Sequence, residues 1–341
     1  RRIIFTNIAF KIAIKQKDAT HNSEWRLYFN TLYYTKRKLM KNLQILLFLF
    51  LSLSFVNAQE LDWDNLKGLK FRNIGPAGMS GRITAIDVNL RDKDHIYVGS
   101  ASGGVWESIN GGVSWKPIFD EQPTLSIGAI KINQNNPSEI WVGTGEGNPR
   151  NSHNSGAGVF KSVDGGKTWK YMGLKETKLI HRIVINSNDP NTVLIGAMGS
   201  AWGKSEHRGV YKTTDGGSTW NKTLYEGDNV GIGDMVMDPS NPNKIIAGMW
   251  EFGRTPWGFN SGGKGSGIYK STDGGDNWEE LTKGLPKEMG KVAVDVSPAN
   301  SNRVFANIES HPEKGGVFRS DDAGKTWKHV CKDRVTIARS W

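Results

Sequence analysis

The segment Ser162-Val-Asp164-Gly-Gly-Lys-Thr-Trp169 decides the fold, because close copies of it recur along the chain every 49 to 58 residues. Each copy begins with Ser or Thr, has Asp or Asn at its third position and Gly at its fifth, and ends with Trp. Repetition at this period is typical of a protein that is assembled from similar structural units. The other four copies are Ser108–Trp115, Thr213–Trp220, Ser271–Trp278 and Ser320–Trp327.

Short stretches with the alternating pattern of β-strands precede each copy. In the second period they are Ile127–Ile132, Ile140-Trp-Val-Gly143 and Gly158-Val-Phe-Lys161, and turn residues such as Asn135-Asn-Pro137 separate them. With the strand that carries the Trp, each period holds four strands and no long helix. We therefore predict an all-β fold, a β-propeller of four-stranded antiparallel blades with hairpins at the eight-residue repeat.

The eight-residue repeat has the chemistry of a tight hairpin turn. Gly can take the left-handed conformation, the Asp side chain accepts hydrogen bonds from turn amides, and the Ser or Thr hydroxyls add others. The repeat resembles the Asp-box, or BNR repeat, of sialidases, sortilins and related propellers. The Trp begins the outer strand, where its ring can pack between neighbouring blades. We predict structural roles for Asn110, Trp115, Asp164, Trp169, Asp215, Trp220, Asp273, Trp278, Asp322 and Trp327.

The N-terminal part of the chain has the layout of a secretory signal peptide. Met40-Lys41-Asn42 opens a stretch that is apolar from Leu43 to Val56 and ends at Ala58. The apolar run is short for a membrane span, so we predict cleavage after Ala58 and a mature protein that is secreted, periplasmic or at the cell surface, with no membrane span. The predicted bounds are 1–39 for sequence translated from in front of the true gene start, 40–58 for the signal peptide, 59–70 for a linker, 71–333 for about five blades and 334–341 for the start of a further, truncated blade.

The positive charge of the chain is concentrated at its N-terminus. The 341 residues contain 44 Lys and Arg against 34 Asp and Glu, a net charge of +10, and residues 1–58 contribute +8 of it. The remaining sequence is close to neutral, which argues against a nucleic-acid partner. One cysteine, Cys331, excludes a disulfide framework and a Cys-based zinc site. We expect no metal and no cofactor.

Long loops on one face of the predicted propeller form the candidate site. Connections between second and third strands lie on the face opposite the hairpins, together with the starts of the innermost strands, and function concentrates on long loops of rigid scaffolds. Mixed Trp and charged side chains suit a glycan or a peptide. For any one residue the alternative is an ordinary solvated rim. The ligand-binding candidates are Arg82, Glu146, Arg150, His153, His181, Arg182, Trp202, Arg208, Trp250, Arg254 and Trp257, and Asp234 and Lys291 lie at inner-strand starts on the same face.

Four segments resemble the large secreted bacterial proteins that carry sortilin-type (VPS10-like) or BNR-like propellers. They are Lys70–Arg82, Val142–Asn148, Arg208–Lys212 and Arg254–Trp257. Members of this group are often described as glycosyl hydrolases by similarity, and the resemblance covers essentially everything after the signal peptide. It implies further blades and domains beyond Trp341.

The resemblance leaves catalysis uncertain. Related xyloglucanases have a catalytic carboxylate in a segment of the form Arg-Thr-Asp-Ile-Gly-Gly-Ala-Tyr, but the similar segment Gly99–Trp106 has Ala101 in place of the Asp. Phe71-Arg72-Asn-Ile74 is only a distorted version of the first Arg motif of sialidases. We therefore predict a non-catalytic binding module for a glycan or a peptide. Two alternatives stay open: a glycoside hydrolase acting on polysaccharide, with Glu146 and Asp234 as catalytic candidates, and a structural scaffold in an exported assembly.

Overall fold

The computed structural model describes residues 22–53, 82–148 and 154–337, and its contacts divide the chain into two units, Arg1–Arg72 and Asn73–Trp341. In the first unit, helix α1 spans Asn22–Leu53, so it begins upstream of Met40 and continues into the predicted signal peptide. The signal peptide stays a prediction, and the predicted linker lies outside the described residues. No helix in the described part of the chain combines the length and the apolar character that crossing a membrane requires.

The described part of the second unit consists of five antiparallel sheets, blades 1 to 5, each hydrogen-bonded in chain order. Blades 1 and 2 contain β1 (Ile83–Val88), β2 (Ile96–Ser100), β3 (Val105–Ser108), β4 (Lys116–Pro117), β5 (Ile127–Ile132), β6 (Ile140–Thr144), β7 (Val159–Ser162) and β8 (Lys170–Tyr171). Blades 3 and 5 contain β9 (Ile180–Ile185), β10 (Val193–Ala197), β11 (Gly209–Thr213), β12 (Asn221–Leu224), β18 (Val292–Val296), β19 (Val304–Ile308), β20 (Gly316–Ser320) and β21 (Lys328–Cys331). Blade 4 contains β13 (Val230–Asp238), β14 (Asn241–Thr255), β16 (Gly267–Ser271) and β17 (Glu279–Leu281), and β15 (Gly258–Ser261) pairs with β14.

The first strand of each blade contacts the first strand of the next, from β1 through β5, β9 and β13 to β18. A row of inner strands from which four-stranded sheets extend outward is the architecture of a β-propeller, so the predicted fold is confirmed. Beside β1, β5, β9 and β13 lies an axial cavity of about 750 Å³.

Apolar side chains fill the seams between successive blades. In the seam between blades 2 and 3, the ring of Trp220 packs edge-on against Trp141 with 6.3 Å between centroids, and its Nε1 donates to the carbonyl of Met172 at 2.7 Å. Trp169, Trp278 and Trp327 belong to the apolar clusters of the other three seams. Trp115, in blade 1, keeps 39% of its surface exposed.

The eight-residue repeats close the hairpins between third and fourth strands with one recurring hydrogen-bond network. In blade 2, the hydroxyl of Ser162 donates to Asp164 at 2.8 Å, and Asp164 accepts both the hydroxyl of Thr168 (2.6 Å) and its amide (2.9 Å). The Thr168 hydroxyl and amide lower the pKa of Asp164 to about 2. Gly165 and Gly166 have φ values of 73° and 83°, which favour glycine. Equivalent bonds are made by Asn110, Asp215, Asp273 and Asp322.

A glycine near the end of the second strand allows neighbouring blades to approach closely. A Cβ atom on Gly143 would lie 2.4 Å from Cγ2 of Ile180, at the start of the inner strand of the next blade. No side chain fits at that distance, so the spacing of the blades requires glycine here. The same contact is made by Gly99 with Ile127, Gly196 with Ile232 and Gly248 with Val292.

Directly after blade 5, where the start of a further blade is predicted, the chain forms one helical turn, α2 (Arg334–Ile337). The carboxylate of Asp333 accepts the amide of Val335 at 3.0 Å, and its carbonyl accepts the amide of Thr336, as at a helix N-cap. Asn307, which stands where blades 1 to 4 have glycine, donates its side-chain amide to the carbonyl of Thr336 at 2.9 Å. The further blade itself stays a prediction.

We expect the seams to dominate stability, which two substitutions at the same repeat position can test. Trp327 is 5% exposed, so Trp327→Ala should lower the free energy of unfolding by about 3–5 kcal/mol. Trp115→Ala, at the more exposed site, should cost about 1 kcal/mol. Urea unfolding followed by circular dichroism measures both; equal losses would contradict this account. If Trp327→Ala fails to fold, Trp327→Phe and Trp115→Phe provide the same comparison.

Candidate functional site

Six of the predicted polar residues form a row at the long-loop end of the inner strands, which we call the axial row: Arg82, Glu146, His181, Arg182, Asp234 and Lys291. Arg82 and Lys291 directly precede inner strands β1 and β18, and His181 and Arg182 lie in β9. Because neighbouring inner strands contact each other, residues at equivalent strand positions meet around the axis. The fold therefore brings together side chains that are far apart in the sequence, such as His181 and Lys291.

Glu146 and Arg82 form a bidentate ion pair at one end of the axial row. The Nη2 and Nε atoms of Arg82 donate to the two carboxylate oxygens at 2.6 and 2.8 Å, and the backbone amide of Glu146 donates to the hydroxyl of Ser126 at 3.1 Å. Glu146 is completely buried, and its hydrogen bonds raise the pKa of the Arg82 guanidinium. Both oxygens of Glu146 are thus occupied, which suits a structural anchor more than a proton donor.

Asp234 forms a second ion pair, with Arg182, and its contacts connect three blades. One carboxylate oxygen accepts Nε of Arg182, from blade 3, and the backbone amide of Met235 at 2.8 Å. The other accepts the amide of Val294, from blade 5, at 3.0 Å. A glycosidase acid must carry a proton that it can deliver to the glycosidic oxygen. Neither Glu146 nor Asp234 is free for that task, because Arg82 binds both oxygens of Glu146, while Arg182 and two backbone amides bind those of Asp234.

His181 and Lys291 differ from the paired groups, because neither side chain has a hydrogen-bond partner among the described residues. His181 is 5% exposed, and both ring nitrogens are unpaired. Burial, followed by the charges of Arg182 and Lys291, lowers the pKa of His181 well below its ordinary value. Lys291 is 4% exposed, and its ammonium lies 5.4 Å from the ring centroid of Trp250. Burial, followed by the charge of Arg182, lowers the pKa of Lys291 to about 8.

Trp250 and Arg208, both predicted to bind a ligand, are fully buried, and the prediction is corrected accordingly. Trp250 stacks on Phe252 with 4.5 Å between ring centroids. The Arg208 guanidinium lies 4.4 Å from the centroid of the same Phe252 ring and donates to the carbonyls of Asn229 and Ser200, each at 2.7 Å. Burial lowers the pKa of Arg208 to about 10. These two side chains hold the long loops of blades 3 and 4 together.

The connection over residues 250–266, predicted as a loop, is an extended hairpin. Strand β14 continues past the sheet to Thr255 and pairs with β15, from Phe252 opposite Ser261 to Thr255 opposite Gly258. Pro256 and Trp257 form the tip, and 88% of the Trp257 surface is exposed. A paired hairpin satisfies its own backbone hydrogen bonds, so it can project a side chain more rigidly than an open loop can.

Between this hairpin and the long loop of blade 3 lies a cleft of about 510 Å³, which we call the rim cleft. Trp202, 48% exposed, lies on the blade 3 side, and Trp257 lies on the hairpin side. The guanidinium of Arg254 lies 4.8 Å from the ring centroid of Phe259 in the cleft wall. Two exposed indole rings with polar neighbours are a surface suited to an amphipathic ligand. The other residues that line the rim cleft include Lys204, Asn229 and Asn260.

The sequence-based set omitted Glu309. Its carboxylate accepts the backbone amide of Lys291 at 2.8 Å and the hydroxyl of Ser261 at 2.5 Å, so it joins blade 5 to the extended hairpin. Glu309 directly follows the second strand of blade 5, at the start of a connection on the long-loop face, and that location could have identified it. The predicted residues Arg150 and His153 lie outside the described residues.

Comparisons with known proteins agree with the propeller architecture. A family model described as sortilin, neurotensin receptor 3 (Sortilin-Vps10) matches residues 157–311. Among solved structures, the GH74 enzyme of Niastella koreensis superposes with a TM-score of 0.54 at 23% identity, over 72% of this chain and 38% of that chain. The GH74 xyloglucanase from Xanthomonas campestris gives a TM-score of 0.52 at 16% identity, over 71% and 38%. These similarities show the β-propeller fold.

Curated relatives are xyloglucanases. Xyloglucanase Xgh74A of Acetivibrio thermocellus is 26% identical over 296 residues, which cover 76% of this chain and 32% of that protein. A xyloglucanase of a Paenibacillus species is 24% identical over 233 residues, which cover 61% and 22%. The chain thus spans 32% or less of the length of these two relatives.

We expect the buried ammonium of Lys291 to destabilise the protein at neutral pH. Its pKa falls from about 10.5 to about 8 on folding, so the unfolded state binds more protons between these values and stability rises with pH there. Lys291→Met should therefore raise the free energy of unfolding by about 2–3 kcal/mol at pH 7. The difference in the free energy of unfolding between Lys291→Met and the wild type should decrease to zero as the pH rises from 8 to 10.5. Urea unfolding at pH 7 and pH 10 measures this difference. A variant less stable than the wild type at pH 7 would show that the ammonium of Lys291 does not destabilise the fold.

Proposed function

We propose that this chain is a glycan-binding part of a polysaccharide-acting protein and that the rim cleft contacts the polysaccharide. The observation that carries the proposal is the pair of exposed indole rings, Trp202 and Trp257, with polar side chains around them. Sugar rings present apolar C–H faces that stack on aromatic rings, while their hydroxyls bind polar groups. The similarity to xyloglucanases supports a polysaccharide over a peptide as the ligand.

The rim cleft is held in place by buried interactions, as a binding surface needs to be. Arg208 donates to the carbonyls of Ser200 and Gly203, on either side of Trp202. The backbone amide of Arg254 donates to the carbonyl of Ala201 at 2.8 Å, which ties the extended hairpin to the same loop. Both indole rings are therefore carried by elements whose relative position is fixed before a ligand arrives.

Export and the repeat class belong to the same proposal. A protein that acts on an extracellular polymer has to leave the cell, which agrees with the predicted signal peptide at residues 40–58. We also infer that the eight-residue repeats are Asp-boxes. The shared network of Ser or Thr, Asp or Asn and turn amides supports that inference.

Hydrolysis of polysaccharide is the second candidate function, and it is favoured by the similarity to xyloglucanases. If the whole protein hydrolyses polysaccharide, we infer that it uses carboxylates other than Glu146 and Asp234, because these two are held by arginine and amide donors. In that case the rim cleft would bind the polysaccharide that is hydrolysed. A purely structural scaffold would leave the rim cleft without a ligand.

Binding of a neutral glycan tests the main proposal. Isothermal titration calorimetry with xyloglucan oligosaccharides should give affinity that falls at least tenfold in Trp202→Ala and in Trp257→Ala, because each loses one stacking platform. Trp115→Ala is the matched control, since Trp115 is also partly exposed but lies in a hairpin on the opposite face. Absence of binding by the wild type, or an equal loss in Trp115→Ala, would reject the rim cleft.

Release of reducing ends from xyloglucan tests the hydrolase candidate. We expect Glu146→Gln to lower the free energy of unfolding by about 2 kcal/mol, because it breaks a buried bidentate pair, and to leave any hydrolytic rate per folded molecule unchanged. Asp234→Asn should behave in the same way. Loss of hydrolysis at unchanged thermal stability would instead make the substituted carboxylate catalytic.

A further inference from the structure

We propose that the axial row contains a second ligand site, which binds the carboxylate of an acidic sugar through Lys291, Arg182 and His181. The proposal rests on the proposed function only in taking the ligand to be a glycan. It extends that function from neutral polysaccharide at the rim cleft to uronic acid residues at the axis.

The first argument is the lack of partners in a buried place. Among the described residues, both ring nitrogens of His181 are buried and have no hydrogen-bond partner. Lys291 is 4% exposed as a residue, and its ammonium makes no hydrogen bond or ion pair there, although it lies 5.4 Å from the ring centroid of Trp250. Buried polar groups are nearly always paired, because leaving them unpaired costs free energy. The unpaired ring of His181, beside an ammonium that makes no ion pair, indicates that a partner is supplied from outside.

The second argument is the kind of hydrogen-bonding group that remains free. Arg182 uses Nε for Asp234 and Nη1 for the carbonyl of His181, which leaves Nη2 as a donor. The ammonium of Lys291 is a donor only. Their acidic neighbours Asp234 and Glu309 already accept from other groups. Donors without acceptors fit an anion, and the two oxygens of a carboxylate can bridge Lys291 and Arg182.

The third argument is access. His181 and Arg182 line the axial cavity of about 750 Å³, within the range of about 300–1,000 Å³ that small ligands occupy. Lys291 is not part of the cavity lining, but its charge acts on His181 and that of Arg182 acts on it, so it lies close to them. The cavity wall beyond them consists mainly of apolar side chains of the inner strands, among them Ile83, Ile183 and Val236. A sugar ring could lie in this cavity with its carboxylate at the polar end.

Titration calorimetry on the full chain tests the site with matched probes: glucuronate, its methyl ester and glucose. We expect glucuronate to bind at least tenfold more tightly than either uncharged probe, because only glucuronate has the carboxylate. Lys291→Met should remove that preference. Lys170→Met, which changes an exposed lysine in β8, is the matched control and should keep it. Since Lys291→Met is expected to stabilise the fold at neutral pH, unfolding would not explain its loss of binding.

The outcomes separate this proposal from the rim cleft. Equal affinity of the wild type and Lys291→Met for glucuronate, or equal binding of acid and methyl ester, would overturn the axial site. Tighter binding of a peptide through its C-terminal carboxylate than of glucuronate would overturn the assignment to acidic sugars. Binding of glucuronate that depends on Lys291, without any binding of xyloglucan oligosaccharides, would support the axial site and reject the rim cleft.

Discussion

Packing between blades is the constraint on which the rest of the structure depends. Each seam is made by the inner strand of one blade approaching the second strand of the preceding blade so closely that only glycine fits, as at Gly143 against Ile180. The outer part of each seam is closed by a Trp from the hairpin repeat. Because seams of this kind fix the spacing of the inner strands, they also fix the axial row, whose members come from different blades.

The axial row contains two kinds of charged group with different physical meaning. Glu146 and Asp234 are satisfied by arginine and amide donors, so their burial adds to the rigidity of the propeller. Among the described residues, His181 is buried with both ring nitrogens unpaired, and the buried Lys291 makes no hydrogen bond or ion pair through its ammonium, which lowers stability. Groups that lower stability without a structural compensation are characteristic of binding sites, where the ligand supplies the missing interaction.

The sequence was sufficient to predict the blades, because strand alternation, turn chemistry and a recurring Trp are local signals. It also named all six members of the axial row, whose role in binding stays a prediction. It could not predict that Trp250 and Arg208 are buried, since their burial depends on Phe252 in an extension of β14 that pairs with β15 outside the sheet. Long-range packing of this kind has no periodic pattern, and a long insertion appears as a loop until its pairing is known.

The two proposed sites would recognise different properties of one polysaccharide. Stacking on Trp202 and Trp257 depends on the shape of a sugar ring and hardly on its charge, so the rim cleft alone would discriminate poorly between neutral and acidic chains. The axial row would add discrimination, because a neutral sugar bound there would leave the positive charges of Lys291 and Arg182 without an added negative charge. Specificity is a difference between affinities, and it can come from the cost of the wrong ligand as well as the gain from the right one. The unpaired donors of the axial row are suited to impose that cost.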